Sequence, residues 1–508
     1  MNLAECVETH ALKFGDAKAA LISDDSGEHW SYAGLNKQIN RIANGLLSLG
    51  ISPGARIAVM LRSRPELIFC SFAIFKTGCI YVSINSRLKE KEIKHILKNS
   101  GAEILICDSS VISLIKDIRD DCKELKHIVL YGDIQEEGAI KFSELIKGKS
   151  DNYKVDPNIT EIAAIMYTGG TTGAPKGVVL THAAIIGNSL AGSKRLLFDE
   201  NTIIVIAMPM FHIGGMAAGA FYCFLNGATM VQQEFFNAEK YIEAFKKYRA
   251  TVIYGVPTFY YSFNSLPESR TKDFSSATLG FSGAGVFAAS VRKSFEERFG
   301  VKVYQYYGLT ENSPGVTVED PLAPERNYES VGAALPGVEI KIVDENDNEL
   351  PIGEHGELCV RGPYLMKEYW KNPDTTRDSM RGGWLHTGDQ GLIDEKGNFY
   401  IKGRKHDMIL IGGANVYPAE VEGILLEADK RINQIAVVGV PDERLGEVPR
   451  AFVVMGKGNK CTENEIIELA RANMAHYKAP RSVVFMDSLP MTSLGKIDKK
   501  LLQDQGGC

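Results

Sequence analysis

Tyr167-Thr168-Gly169-Gly170-Thr171-Thr172-Gly173-Ala174-Pro175-Lys176-Gly177 follows the apolar run Ile162-Ala163-Ala164-Ile165-Met166. Together they read as a buried strand emptying into a polyphosphate loop. Glycine lets main-chain N–H groups turn toward an anion at close range, threonine adds hydroxyl donors and Lys176 a point charge. A flexible turn explains any single Gly-Gly pair, but not four glycines and three threonines in eleven residues. The stretch is not a Walker A loop, which ends in Gly-Lys-Ser/Thr where this chain has Pro175-Lys176-Gly177.

Working outward, residues 31–50 place Leu35, Ile39, Ile42, Leu46 and Leu49 at helical spacing, with Gly50 as a stop. Strands are predicted at 57–61, 80–84 and 103–107, and helices at 66–75 and 89–99. Beyond the loop come helix 183–194, strand 203–207, helix 238–248, strand 252–254 and helix 288–299. Such alternation predicts an α/β fold of several layers with parallel sheets. From about residue 331 short apolar runs at 339–343, 356–361, 391–394 and 399–402 alternate with turn clusters, which predicts a β-rich subdomain. After residue 403, helix 418–427, strands 434–440 and 450–455 and helix 463–475 read as a small α+β module. The expected division is an N-terminal domain, 1–403, with its β-rich subdomain at about 331–403, and a C-terminal domain, 404–508.

The 508 residues exceed one core, and 44% apolar with 24% charged residues is ordinary globular composition. A net charge of −6 without basic blocks excludes a nucleic-acid surface. Nine scattered cysteines without a Cys-x-x-Cys pair indicate reduced thiols and a cytoplasmic location. Glu5, Glu8 and His10 interrupt any signal-peptide core, and Gly506-Gly507-Cys508 reads as neither a peroxisomal address nor a prenylation box. Residues 201–233 carry no charge until Glu234, yet Pro209, His212, Asn226 and four glycines divide them. They are expected to be a buried strand and core helix, not a transmembrane segment. The sequence sets the assembly no further than compatibility with a homodimer.

Other motifs carry chemistry. His212 lies in Pro209-Met210-Phe211-His212-Ile213-Gly214-Gly215 after a buried strand; alone, such a histidine is most often part of a core. Gly283-Ala284-Gly285 satisfies G-x-G-x-x-A and raises a dinucleotide-binding dehydrogenase as rival. That rival needs a carboxylate some twenty residues on, where the chain reads Val303-Tyr304-Gln305-Tyr306-Tyr307. In Gln305-Tyr306-Tyr307-Gly308-Leu309-Thr310-Glu311 a tyrosine can stack on a base and Gly308 admits close approach. Thr310 can donate to a phosphate, and Glu311 can hold a magnesium ion. Asp389, in the turn-like Thr387-Gly388-Asp389, fits a ribose diol. Gly412-Gly413 leaves room for a narrow ligand. Lys496 follows Gly495 near the C-terminus, where a lone lysine is ordinarily solvated.

Taken together and in order, these motifs resemble those of the acyl-adenylating superfamily: acyl-CoA synthetases, luciferases and the amino-acid-activating domains of peptide synthetases. The resemblance covers nearly the whole chain and implies a large N-terminal domain with a mobile C-terminal lid. It implies an ATP site of Thr168, Gly169, Gly170, Thr171, Thr172, Gly173, Lys176, Gly283, Ala284, Gly285, Gln305, Tyr306, Tyr307, Gly308, Thr310, Asp389, Arg404 and Lys496. Lys496, Thr310, Glu311 and His212 would be the catalytic group, with Glu311 as metal ligand. The acyl group would lie in an apolar slot of Phe211, His212, Val256, Phe259, Tyr260 and Gly283. Coenzyme A would pass Gly412 and Gly413, and the lid would turn about His406. Amino-acid activators usually have aspartate where this chain has His212, so the implied acid lacks an α-amine. Gly170 departs from the usual serine, His406 from aspartate or lysine, and Met491 from a frequent lysine. The implied activity is AMP-forming ligation of a fatty or other apolar acid to coenzyme A, using ATP and magnesium. The alternatives are a ligase loading a carrier protein, or a module that binds ATP or acyl-AMP without turnover.

Overall fold

Short apolar runs without polar alternation suit strands buried on both faces, and that is how the chain uses them. The computed structural model describes residues 2–505 apart from 154–159, 169–173, 271–272, 286, 406, 412–413, 443 and 493–496. One sheet runs Ile162–Thr168, Ile80–Ser83, Arg56–Met60, Ile104–Asp108, His127–Tyr131 and Ile140–Lys141, all parallel. A second, nine-stranded sheet has a parallel centre of Val303–Gly308, Leu279–Ser282, Val252–Gly255, Ile203–Ile206, Thr229–Gln232 and Ala19–Ser23. Helices cover these strands. Tyr32–Leu47 is typical: the Ser31 side chain accepts from the Gly34 N–H at its start, and Leu35, Ile39, Ile42 and Leu46 form its buried stripe.

The parallel sheets expected from the sequence are present, and each also carries antiparallel strands at its edge. Lys176–Thr181, whose first two residues were read as the end of the loop, is a strand antiparallel to Ile162–Thr168, with Lys176 opposite Thr168. The two-residue strand Glu368–Tyr369 adds antiparallel to its far side. Gly177 shows why the first residue pair of this strand looked like loop. A Cβ there would come within 2.7 Å of Ile165 Cγ2, 3.1 Å of Tyr167 Cζ and 3.3 Å of Trp370 Cβ. The glycine is required by strand packing.

Residues 201–233 form strand Ile203–Ile206, a helical stretch Ile213–Met216, Ala217–Phe221 and Tyr222–Asn226 whose middle part is π-helical, and strand Thr229–Gln232. Among the described residues no helix is long and apolar enough to cross a membrane. The β-rich part is a four-stranded antiparallel sheet of Glu339–Val343, Gly356–Arg361, Leu385–Ile393 and Phe399–Arg404. A hydrophobic core separate from the one under these layers starts at Ile409 and runs to Leu502. It is built on the hairpin Ile432–Asp442 and Gly446–Met455, with helices Pro418–Ala428 and Glu463–Asn473.

The N-terminus is tied to helix His182–Arg195 through one buried imidazole. The Leu3 N–H donates to His182 Nδ1 at 3.3 Å, and Phe75 packs edge-on at 5.6 Å. His182 is 3% exposed and its Nε2 has no hydrogen-bond partner among the described residues. Burial lowers its pKa to about 4. Between that value and the unfolded value of about 6.5, the unfolded chain binds the extra proton. Stability from this site is therefore complete above pH 6.5 and is lost as pH falls toward 4. Denaturant titrations over that window are expected to show the native chain losing about 3 kcal/mol more than His182→Asn, whose amide oxygen replaces the Nδ1 acceptor.

Candidate active site

The candidate residues gather where parallel strands end, the usual place for a ligand in an open α/β sheet. Strand Val303–Gly308 carries four of the candidate residues, Gln305, Tyr306, Tyr307 and Gly308, and a buried ion pair anchors it. Arg292, fully buried, donates from Nε to the Val303 carbonyl at 2.8 Å and from Nη2 to Glu319 Oε2 at 2.5 Å. The same carboxylate oxygen accepts the Gln305 N–H at 2.7 Å. The Gln305 side-chain amide donates to the carbonyls of Tyr328 and Ser330, both at 3.3 Å, so this predicted nucleotide residue is tied into the scaffold.

Beyond Gln305 the strand's alternation sends successive tyrosines to opposite sides. The Tyr307 hydroxyl donates to Asp389 Oδ2 at 2.5 Å, and Arg404 Nε donates to Asp389 Oδ1 at 2.7 Å. Asp389 is 5% exposed and also gains its own N–H bond to Thr387 Oγ1. It was expected in a turn; it lies inside strand Leu385–Ile393, paired with Arg404 in the register. The turn signal came from Gly388, which holds a left-handed φ of 71° within the strand. Burial, and behind it the Asp389 carboxylate, push the Tyr307 phenol well above its ordinary pKa, so it remains a donor.

Gly308 ends the strand, where a Cβ would meet the Pro314 carbonyl at 2.4 Å. The next residues form a single 3-10 turn, Thr310–Asn312, with Thr310 buried and Glu311 at the rim. Glu311 Oε1 accepts from the Tyr369 hydroxyl at 2.8 Å. Lys176 Nζ stands 5.6 Å from the centre of the Tyr369 ring, so this ring joins the lysine of the first motif to the glutamate of the second. Thr168 and Lys176 face each other at the base of the hairpin. Gly169, Gly170, Thr171, Thr172 and Gly173 lie outside the described residues, as do His406, Gly412, Gly413 and Lys496.

On the other side of the strand, the Tyr306 and Tyr222 hydroxyls are 3.4 Å apart. His212 caps the helical stretch after strand Ile203–Ile206: its Nδ1 accepts the Gly214 N–H at 3.2 Å. The Gly214 carbonyl in turn accepts from the Tyr254 hydroxyl at 3.2 Å, and Tyr254 stacks on Phe281 at 4.5 Å. Gly283, Ala284 and Gly285 form the turn after Leu279–Ser282, with Ala284 at a strained φ of 66°.

The structure does not bring the whole expected acyl wall together. Phe211 and Val256 are buried near strand ends. Phe259 instead stacks on Phe236 at 3.5 Å, and Tyr260, with no exposure, donates to the Phe281 carbonyl at 2.9 Å within an aromatic core of Phe263, Phe287 and Phe295. Tyr222, Tyr254 and Tyr369 were missed in the sequence. Tyr254 sits at the carboxyl end of a predicted strand, a position that could have marked it; Tyr369 had no comparable signal.

For a hard cation, the carboxylate that the sequence offered is Glu311, whose Oε1 accepts from the Tyr369 hydroxyl. Among the described residues there is no group of three His, Cys, Asp or Glu side chains able to hold a metal ion alone. This suits magnesium, which commonly takes one or two carboxylates together with substrate phosphates.

The sequence profile of the AMP-binding enzyme family matches residues 7–370, and that of the AMP-binding enzyme C-terminal domain matches residues 420–496. A crotonobetaine/carnitine–CoA ligase of Salmonella choleraesuis (strain SC-B67) is 34% identical over 516 residues, with 99% of each chain covered. Among solved structures, the anthranilate CoA ligase AuaEII in complex with anthranoyl-AMP superposes with a TM-score of 0.92 at 28% identity, over 99% of this chain and 97% of that one. ATP-bound MatB from Rhodopseudomonas palustris gives 0.90 at 30% identity, with 99% of each chain covered. Both readings of the Gly283-Ala284-Gly285 turn need a strand before it and a helix after it, so the turn alone does not separate them; the match along both domains does, and the chain belongs to the AMP-binding enzyme family.

Proposed function

We propose that the chain is an AMP-forming acyl-CoA ligase, an acid–thiol ligase whose substrates are ATP, a carboxylic acid and coenzyme A, with magnesium. The observation that carries this reading is the meeting of Lys176, Glu311, Tyr307, Asp389 and Arg404 around the end of one strand. Asp389 accepts from the ribose hydroxyls while Arg404 orients it. Tyr306 or Tyr307 presents a ring to the adenine beside the Gly283–Gly285 turn. Thr310 donates to the α-phosphate, and Thr168 and Lys176 flank the phosphate chain. Glu311 would hold magnesium, which neutralises charge on the transferring phosphate.

The acid needs no base, because a carboxylate is ionised near neutral pH. Its oxygen attacks the α-phosphorus, the bond to the bridging oxygen breaks and pyrophosphate leaves. Lys496, in the Pro490–Ile497 motif, stabilises the charge in that step. The C-terminal domain, 404–508, then turns about His406, withdraws Lys496 and admits the thiol past Gly412 and Gly413. Sulfur attacks the acyl carbon, AMP leaves and the thiol proton passes to solvent.

For the acid we favour a short molecule with a polar or cationic end over a long hydrocarbon chain. The His212 imidazole and the Tyr254 hydroxyl, which donates to the Gly214 carbonyl, place polar groups beside this helical stretch, and an acid with a polar end matches them better than a fatty chain does. Tyrosine faces also attract a quaternary ammonium, which the crotonobetaine/carnitine relatives' name brings into view. An aromatic acid is the second reading, supported by the anthranilate ligase likeness.

Incubation with ATP, magnesium, coenzyme A and a panel of trimethylammonium acids, benzoates and octanoate, read by mass, is expected to give AMP and the thioester of a short acid. ADP would overturn the mechanism, octanoate alone as substrate would overturn the polar slot, and turnover restricted to a phosphopantetheinylated carrier would favour the carrier-loading alternative. Asp389→Ala is expected to raise KM for ATP about a hundredfold, since it removes bonds to a charged acceptor. Lys496→Ala should slow adenylate formation by at least about a hundredfold, yet leave thioester formation from supplied acyl-AMP nearly intact. Equal losses in both half-reactions would remove the proposed division of labour.

A further inference from the structure

Tyr369 belongs to a strand of two residues, too short for its own propensity to hold it. Main-chain bonds fasten it at three points. The Lys367 N–H donates to the Val179 carbonyl at 2.9 Å and the Trp370 N–H to the Gly177 carbonyl at 2.7 Å, both on the strand that begins with Lys176. The Met366 N–H donates to the Glu311 carbonyl at 2.7 Å. The segment thus links the two halves of the phosphate side of the site.

Its side chain does the same. Tyr369 is 8% exposed, its hydroxyl donates to Glu311 Oε1 at 2.8 Å, and its ring underlies Lys176 Nζ at 5.6 Å. A buried tyrosine needing only a partner could use a main-chain carbonyl, as Tyr260 does with Phe281. This one is committed to the carboxylate at the rim. A carboxylate has lone pairs on both oxygens, and a donor on Oε1 fixes its plane while Oε2 retains capacity for a hard cation.

We propose that Tyr369 is a positioning residue for magnesium–ATP: its hydroxyl orients Glu311 toward the cation, and its ring seats Lys176 beside the phosphates. The inference rests on the ATP reading given above. Tyr369→Phe separates the two tasks, because it keeps the ring and removes the hydroxyl.

Calorimetric titration of the full chain with ATP, in magnesium and in EDTA, tests it on wild type, Tyr369→Phe, Tyr369→Leu, Glu311→Gln and the Phe/Gln double variant, with thermal unfolding as a folding control. Tyr369→Phe is expected to weaken binding about tenfold in magnesium and not at all in EDTA. Glu311→Gln should abolish the magnesium-dependent gain, with the double variant no worse, and Tyr369→Leu should weaken binding in EDTA as well. Equal weakening of Tyr369→Phe in both conditions, or none in either while Glu311→Gln loses the gain, would overturn the positioning role. If Glu311→Gln keeps the full gain, the assignment of Glu311 fails, and with it the reading beneath this inference.

Discussion

The buried pair of Arg292 and Glu319 decides where strand Val303–Gly308 lies, and the site is arranged around that strand. Arg292 binds the Val303 carbonyl and Glu319, and Glu319 binds the Gln305 N–H, so one ion pair fixes both the start and the height of the strand. Stranding either charge by removing its partner typically costs about 3–5 kcal/mol. The cost would fall first on the tyrosines that follow.

Those tyrosines divide the chemistry. Tyr306 faces the helical stretch capped by His212, where the acid is proposed to sit; Tyr307 faces Asp389 and Arg404, where the nucleotide sugar is proposed to sit. On the proposed reading, a strand with period two would hold two substrates on opposite faces, with its end at Gly308 and Thr310 between them. Arg404 closes the last strand of the first core, and the second core begins at Ile409. A nucleotide held by Arg404 therefore touches the chain where a rotation of the second domain would start.

Elements with a clear period were legible in the sequence. The stripe from Leu35 to Leu46 lies in helix Tyr32–Leu47, and Glu339–Val343 and Gly356–Arg361 fall where alternating runs placed them. Lys176–Thr181 was not legible, because its three consecutive apolar residues are short and Gly177 resembles a turn former until the Trp370 contact is seen. The left-handed Gly388 hid a strand in the same way. Asp389 and Arg404 were both assigned to the ATP site by the family resemblance, and the register places them opposite each other. Tyr369 was invisible because nothing local marks a two-residue strand whose partners lie some sixty and two hundred residues earlier. On the proposed acyl side His212 was named, but the Tyr254 hydroxyl that bonds the Gly214 carbonyl was not, because hydroxyl direction is a property of packing.

The central claim is that a carboxylate oxygen of the acid becomes bonded to the α-phosphorus of ATP. Acid labelled with oxygen-18 in its carboxylate, turned over with ATP, magnesium and coenzyme A, tests this by mass analysis of the nucleotide. The account predicts one labelled oxygen in AMP and none in pyrophosphate. Label in orthophosphate with ADP as co-product, or unlabelled AMP alongside labelled thioester and water, would contradict it.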